Sequence, residues 1–286
     1  MKVGVIGIGA MGLPMAGHVR DGGHSVTVFD VDGARLAAAE KDGLESAASL
    51  EEMAAKAEIF LAVVNTDEQS SEVTDTLSRH AAKDSIIAIC ATNNPMTMRG
   101  LGELCAGRGI RFIDAPVVFG AEGALAGTLL SLCGGAAEDV ERARPVLMAY
   151  SRAVEHVGPL GAGQLAKACN NLLHWVHCVS NYETLLLAKR FGVDGQRMRE
   201  VLLECPAANG TLDRWDATKF TWQEKDMDVV MDLAQMSGLM LPMSGLTDQL
   251  IKVLKPKDVE ALLYGPECEY LGVRVAPLPR ERGGLG

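Results

Sequence analysis

The sequence predicts an α/β chain in two parts: a doubly wound sheet over residues 1–162, then an all-helical domain over 163–286. Three observations predict it. Short apolar runs alternate with helical spacers in the first part, a glycine-rich turn follows the first of those runs, and from Gln164 on the pattern is helical throughout. The length agrees, because 286 residues are too many for one small core and suit two domains of ordinary size.

Lys2 to Ile6 reads as a strand that leads straight into Gly7-Ile8-Gly9-Ala10-Met11-Gly12, a GxGxxG. A helix to about Arg20 follows, Gly22-Gly23 stops it, and Ser25 to Phe29 gives a second strand ending at Asp30. This is a complete βαβ unit of Rossmann type. The first glycine permits a tight turn, the second lets a pyrophosphate approach the backbone, and the third lets helix and strand pack closely. The diphosphate is then expected on the helix N-terminus, whose N–H groups and dipole favour anions. Gly7, Gly9, Ala10, Met11, Gly12 and Asp30 are the expected dinucleotide contacts, with the Asp30 carboxylate on the ribose hydroxyls. That carboxylate predicts NAD over NADP, since it would repel a 2′-phosphate. Val31 follows it, and Arg35 is the nearest cation.

Ile59–Val64 and Ile86–Ile89 are continuous apolar runs, as a parallel sheet covered on both faces requires. Their ends predict that Asn65, Thr66 and the stretch Ala91-Thr92-Asn93-Asn94-Pro95 line the cofactor crevice. Arg111–Ile113 adds a strand that opens into Asp114-Ala-Pro-Val-Val-Phe-Gly120. Residues 128–133 and 153–157 read as further strands, and Gly158-Pro159, Gly161 and Gly163 mark a boundary.

Gly161 to Leu187 reads as one long helix whose apolar residues cover nearly its whole circumference, which predicts burial on most sides. Lys167 and Asn171, four apart, share a face. A lysine in low-dielectric surroundings has its charged form disfavoured, which moves its pKa toward a range useful for proton transfer. Helices are expected at about 195–204, 226–236, 243–254 and 256–264. Residues 206–223 read as a packed loop holding Trp215, Phe220 and Trp222, and the tail from Pro277 on as mobile, for want of core residues.

A formal charge of -10 and a pI near 5.1 argue against a nucleic-acid or anionic-membrane partner, since those need clustered cations. No apolar run reaches the length of a membrane span. The seven cysteines form no CxxC pair, as expected of reduced thiols and a cytoplasmic address. His174 and His177, at a spacing of three that is weak for a metal, read as core or site-lining residues, and no metal site is expected.

Four blocks in order resemble the β-hydroxyacid dehydrogenase family, which includes 3-hydroxyisobutyrate dehydrogenase and tartronate semialdehyde reductase: GIGAMGLPMA (7–16), DAPVVFGAEGALAGTL (114–129), GAGQLAKACNN (161–171) and KDMDVVMDLA (225–234). The resemblance implies a Rossmann-type domain, a helical domain, a small-molecule substrate and hydride transfer to or from NAD. It makes Lys167 the proton donor and acceptor, with Asn171 beside it on the substrate. It also puts Lys225 and Asp226 near cofactor and substrate, and Thr92 near the nicotinamide ribose. Val117, Val118, Phe119 and Gly120 fall in its substrate block. There the family pattern reads D-A-P-V-S-G-G, and this chain has Val118 and Phe119 for Ser and Gly. Loss of the Ser donor leaves two readings open, a pocket compensated for a small hydroxyacid, or a bulkier, less polar alcohol packed on Phe119 with Trp175, Trp215 and Trp222 as further walls. Rival functions are a semialdehyde or imine reductase on the same scaffold, and a non-catalytic NAD(H)-binding protein. The apolar long helix predicts a homo-oligomer, and the resemblance implies a homodimer or homotetramer.

Overall fold

The structure, a computed structural model, describes residues 1–278. The expected mobile tail lies outside these residues except for Pro277 and Leu278, and the Leu278 N–H donates to Arg190 O at 2.9 Å. The chain forms two compact units, Met1–Lys167 and Ala168–Gly286.

The first unit runs β1 (Lys2–Ile6), α1 (Gly12–Asp21), β2 (Ser25–Phe29), α2 (Gly33–Lys41), β3 (Glu45–Ser46), α3 (Leu50–Lys56), β4 (Ile59–Ala62), α4 (Asp67–His80), β5 (Ile86–Ile89), α5 (Pro95–Gly107), β6 (Arg111–Asp114), β7 (Val117–Val118), α6 (Gly120–Ala126), β8 (Leu129–Gly134), α7 (Ala137–Leu147) and β9 (Ser151–Gly158). The first six strands are parallel in the order β3-β2-β1-β4-β5-β6. Strand order therefore reverses between β1 and β4, the switch point where doubly wound sheets bind ligands. β8 runs antiparallel to β6 and β7, meeting β6 at Asp114↔Gly134, and β9 pairs parallel to β8.

The continuous apolar runs are explained by two cores with a residue alternation of two. Ile59 and Leu61 of β4 and Ile86 and Ala88 of β5 enter one core with Val3, Val5 and Val28. Phe60, Ala62, Ile87 and Ile89 enter the other with Met53 and Met98. Side chains start the helices: Asp32 accepts from Ala34 N, Ser49 from Glu52 N, Thr66 from Gln69 N, and Asn94 from Met96 N with Pro95 following.

α8 (Ala162–Arg190) carries the chain into the second unit, which continues with α9 (Gly195–Leu203), α10 (Gly210–Asp213), a 3₁₀ turn (Trp215–Ala217), α11 (Gln223–Ser237), α12 (Pro242–Ile251), α13 (Pro256–Tyr264), β10 (Cys268–Tyr270) and β11 (Val273–Val275). The last two form an antiparallel hairpin, so this domain is helical but not purely so. Its turn residues Leu271 and Gly272 both have positive φ, 50° and 77°. Leu at the first of these positions hides a turn that Asn-Gly would have announced. The core gathers Trp175, Tyr182, Trp215, Ile251 and Leu262.

Two expectations need correction. Trp215 is fully buried and Phe220 buried, but Trp222 is 58% exposed, because the loop turns it out just before α11. α8 is also less enclosed than its composition implied. Leu165, Cys169, Leu173, Ser180, Thr184 and Leu187 form one exposed row at spacings of three, four and seven, with Leu173 58% exposed. No described helix is long and apolar enough to cross a membrane.

Candidate active site

The glycine turn is explained by what a side chain would meet there. Gly7, at φ 84°, would put a Cβ 2.4 Å from Val63 O, and Gly12 would put one 1.9 Å from Gly7 O. Both closures are impossible for any other residue. At Gly9 the nearest atom within 4 Å is an Arg35 guanidinium nitrogen at 3.7 Å, so the turn leaves one face open, with Ala10 exposed and Met11 half-buried beside it. Met11 offers α1 no side-chain cap. An open glycine face before an uncapped helix is a cradle for a diphosphate, and the residues present fit a dinucleotide.

Asp30 is buried at the end of β2. Its Oδ2 accepts from Ile8 N and its Oδ1 from Asp32 N, both at 2.9 Å, which fixes the carboxylate beside the glycine turn. Arg35, in the first turn of α2, is 3.3 Å from Asp30 Oδ2 and 3.5 Å from Asp32. Val31 points to water.

Asn65 and Thr66 are exposed beyond β4. Their first task is to start α4: Asn65 N donates to Gln69 Oε1 at 2.8 Å and Thr66 Oγ1 accepts from Gln69 N at 3.2 Å. Thr92, half-buried beyond β5, stands between two residues held by one side chain. Gln164 Nε2 donates to Ala91 O at 2.7 Å and Gln164 Oε1 accepts from Asn93 N at 2.9 Å.

Asp114 ends β6, fully buried, and accepts from Gly161 N at 2.8 Å and Gln164 N at 2.7 Å. Burial pushes its carboxyl up from the ordinary aspartate range, and the backbone N–H groups of Gly161, Gln164 and Gly163 oppose that rise. Gly163 can have no side chain, since its Cβ would lie 2.3 Å from Leu132 O. The start of α8 is thus locked to the end of the sheet, one turn before Lys167.

Val117 and Val118 are buried and paired with Ser131 and Leu130 of β8, so their side chains serve the sheet, and Phe119 and Gly120 emerge beyond it. Phe119 has φ 86°, the left-handed region that suits the family's glycine. Its ring, half-buried, packs as Met11 does against the core of Val3, Val5 and Val28, under the guanidinium of Arg152 at 4.3 Å.

Lys167 is half-buried and Asn171 buried, one turn apart on α8. Asn171 Oδ1 accepts from Asn170 at 3.3 Å. In the second unit Lys225 and Asp226 sit half-buried in the first turn of α11, and Trp175 Nε1 donates to Asp226 Oδ2 at 3.1 Å. Trp175 is therefore a buried holder of Asp226, and Trp215 is core. His174 bonds Thr211 at 3.0 Å.

Gln164 and Asp67 carry no role in the sequence reading, and Asn93 enters it only as part of the 91–95 stretch. Asp67 at the start of α4 accepts from Asn93 Nδ2 at 2.6 Å and from Asn94 N, and Ser70 Oγ donates to Asn93 Oδ1 at 2.9 Å. The available signal was Gln164 itself, an amide three residues before Lys167 on a helix expected to be buried.

Residues 2–158 match the family described as the NAD binding domain of 6-phosphogluconate dehydrogenase. Residues 161–262 match the NAD-binding domain of NADP-dependent 3-hydroxyisobutyrate dehydrogenase. The chain belongs to the β-hydroxyacid dehydrogenase family. A 3-hydroxyisobutyrate dehydrogenase of Pseudomonas aeruginosa is 33% identical over 217 residues, 75% of this chain and 73% of the relative. An NAD-dependent L-serine dehydrogenase of the same organism is 28% identical over 88% of this chain and 92% of its own length. The structure of Mycobacterium tuberculosis 3-hydroxyisobutyrate dehydrogenase with L-serine superposes at a TM-score of 0.83, with 25% identity, covering 88% of this chain and 92% of that one. This β-hydroxyacid dehydrogenase is an oxidoreductase that uses NAD and acts on a hydroxyl donor.

Proposed function

We propose that this enzyme oxidises a small acid bearing a hydroxymethyl group beside its carboxylate, with Lys167 as the general base and Asn171 on the same oxygen. One observation carries the reading: Lys167 and Asn171 stand one turn apart on a helix whose first turn is locked to Asp114. Bound NAD supplies the hydride acceptor, held by the Gly7–Gly12 turn, Asp30 and the loops at Asn65–Thr66 and Thr92. As the substrate C–H bond breaks, the neutral Lys167 amine takes the hydroxyl proton. In reduction its ammonium form stabilises the developing alkoxide and then protonates it. Asn171, an amide, donates a hydrogen bond to that oxygen and moves no proton.

The acid side of the substrate is supported by the relatives, a 3-hydroxyisobutyrate, an L-serine and a 2-(hydroxymethyl)glutarate dehydrogenase. It is supported too by Phe119, whose ring is already occupied by core and by Arg152, and which therefore offers less open apolar wall than its size implies. Lys167→Ala lowers kcat by at least the roughly 10²- to 10⁴-fold that general acid–base catalysis supplies, with NAD affinity nearly unchanged. A variant that keeps most of its kcat removes Lys167 from the mechanism. A substrate panel settles the class: ring alcohols oxidised faster than every small hydroxyacid would overturn the acid reading.

The enzyme is read as a cytoplasmic homo-oligomer. All seven cysteines are free thiols, which supports a reducing compartment. The exposed row on α8, with Leu165, Leu173 and Leu187, supports a second copy as its cover. Sedimentation at micromolar concentration as a single 30.4 kDa species would contradict it.

A further inference from the structure

We propose that Gln164 is a positioning residue that holds the nicotinamide-side loop at Thr92 and the Lys167 helix in one fixed register. This rests on the roles given above to Thr92 and Lys167. Gln164 is fully buried, and its backbone N–H and both ends of its side-chain amide have partners. Its side chain donates to the carbonyl before Thr92 and accepts from the N–H after it. That is the pattern with which one residue of a parallel strand pairs to its neighbour, here continued past the end of β5 by an amide side chain. Its backbone N–H meanwhile donates to Asp114 Oδ2, while Asp114 Oδ1 takes Gly161 N. One residue thus joins the sheet end, the 91–93 loop and the first turn of α8.

The loop is braced from the other side by Asn93, fully buried, whose amide is held by Asp67 and Ser70. A buried polar chain with every member satisfied is stiff, and a half-satisfied one is costly. Thr92 therefore has neither a free carbonyl before it nor a free N–H after it with which to swing. Lys167 follows Gln164 by three residues on the same helix, so a shift of the loop is transmitted to the base.

Two variants test the inference. Gln164→Met loses both side-chain bonds. In the NAD-free protein the Asn93 amide proton then exchanges at least about tenfold faster, as expected for local opening. In the loaded enzyme kcat falls by roughly 10²-fold, the order expected for a misplacement near 1 Å, more than the KM for substrate rises. Gln164→Glu is nearly isosteric. Protonated, its O–H donates to Ala91 O as the amide did; ionised, it cannot, and it faces Asp114. The other charged groups around it are Asp67 through Asn93, Arg99 beside Gly161, and Lys167 one turn on. The kcat of Gln164→Glu relative to wild type therefore falls as pH rises, through an ionisation the wild-type profile lacks.

A Gln164→Glu to wild-type ratio that is flat with pH overturns the inference, as does a Gln164→Met variant with wild-type kcat and a protected Asn93 amide. If Gln164→Met does not fold, the Gln164→Glu ratio decides alone. Failure of the lysine assignment reads differently, since Lys167→Ala would then retain turnover while Asn93 exchange still responds to Gln164→Met.

Discussion

Asp30→Asn should move cofactor preference toward NADP by about 10²- to 10³-fold in the ratio of kcat/KM values. In the wild type the carboxylate is fixed by Ile8 N and Asp32 N, and Arg35 is committed to it at 3.3 Å. A 2′-phosphate entering here meets a buried negative charge. At an effective dielectric near 20 and a separation of about 5 Å, two unit charges interact by roughly 3 kcal/mol, or about two decades in an equilibrium constant. The amide removes that repulsion and releases Arg35 to pair with the phosphate. Arg35 is half-exposed, so its own attraction is screened and adds about a further decade or less. One acceptor oxygen survives in Asn to hold Ile8 N, which keeps the turn folded. The assay is initial rates with each cofactor at constant ionic strength, with thermal melting as a control for folding. A ratio unmoved by Asp30→Asn, or equal kcat/KM for the two cofactors in the wild type, would refute the reasoning.

Trp175→Phe deletes the N–H that holds Asp226, and hydrogen bonds to charged groups contribute about 1.5–3 kcal/mol; both Tm and kcat/KM should drop, and unchanged values for both would remove Trp175 from the site's support. Asp216→Asn should flatten the acid limb of the stability curve. The Arg199 side chain hydrogen-bonded to Asp216 holds its carboxyl below the usual range. With the folded pKa depressed, that stability is fully present above the unfolded aspartate value of about 4 and is lost as pH falls through the folded one. Urea midpoints for wild type and variant that run parallel through this acid window would sink the assignment. Val118→Ser with Phe119→Gly should raise kcat/KM on 3-hydroxyisobutyrate by restoring the family's hydroxyl donor; no gain would mean the acid group is held elsewhere.

The glycine turn was legible because Gly7 and Gly12 answer closures the backbone demands: the Gly12 to Gly7 approach exists wherever the βαβ unit does. The central strands were legible because a continuous apolar run between helical spacers is a local signal, as a parallel sheet covered on both faces requires. The polar network was not, since Gln164 is 71 residues from Asn93 and 50 from Asp114, and no local period records such pairs. β3 and β7, two residues each, are too short to carry a pattern. Trp215 and Trp222 lie in one aperiodic loop, so their opposite burial had no signal. The α8 row shows that one chain does not cover this apolar helix on all sides, as its composition led the sequence reading to expect.

Phe119 holds a left-handed backbone, which for a non-glycine residue costs about 1–2 kcal/mol. Its stack on Arg152 returns about 0.5–1 kcal/mol, and its half-buried ring adds core contact. The opposing terms leave glycine and phenylalanine nearly equal in stability at this position. Folding therefore places little selection on what residue stands there. A lineage can exchange the two without first acquiring a stabilising change elsewhere, so the side chain at this loop can vary in single steps while the scaffold stays intact.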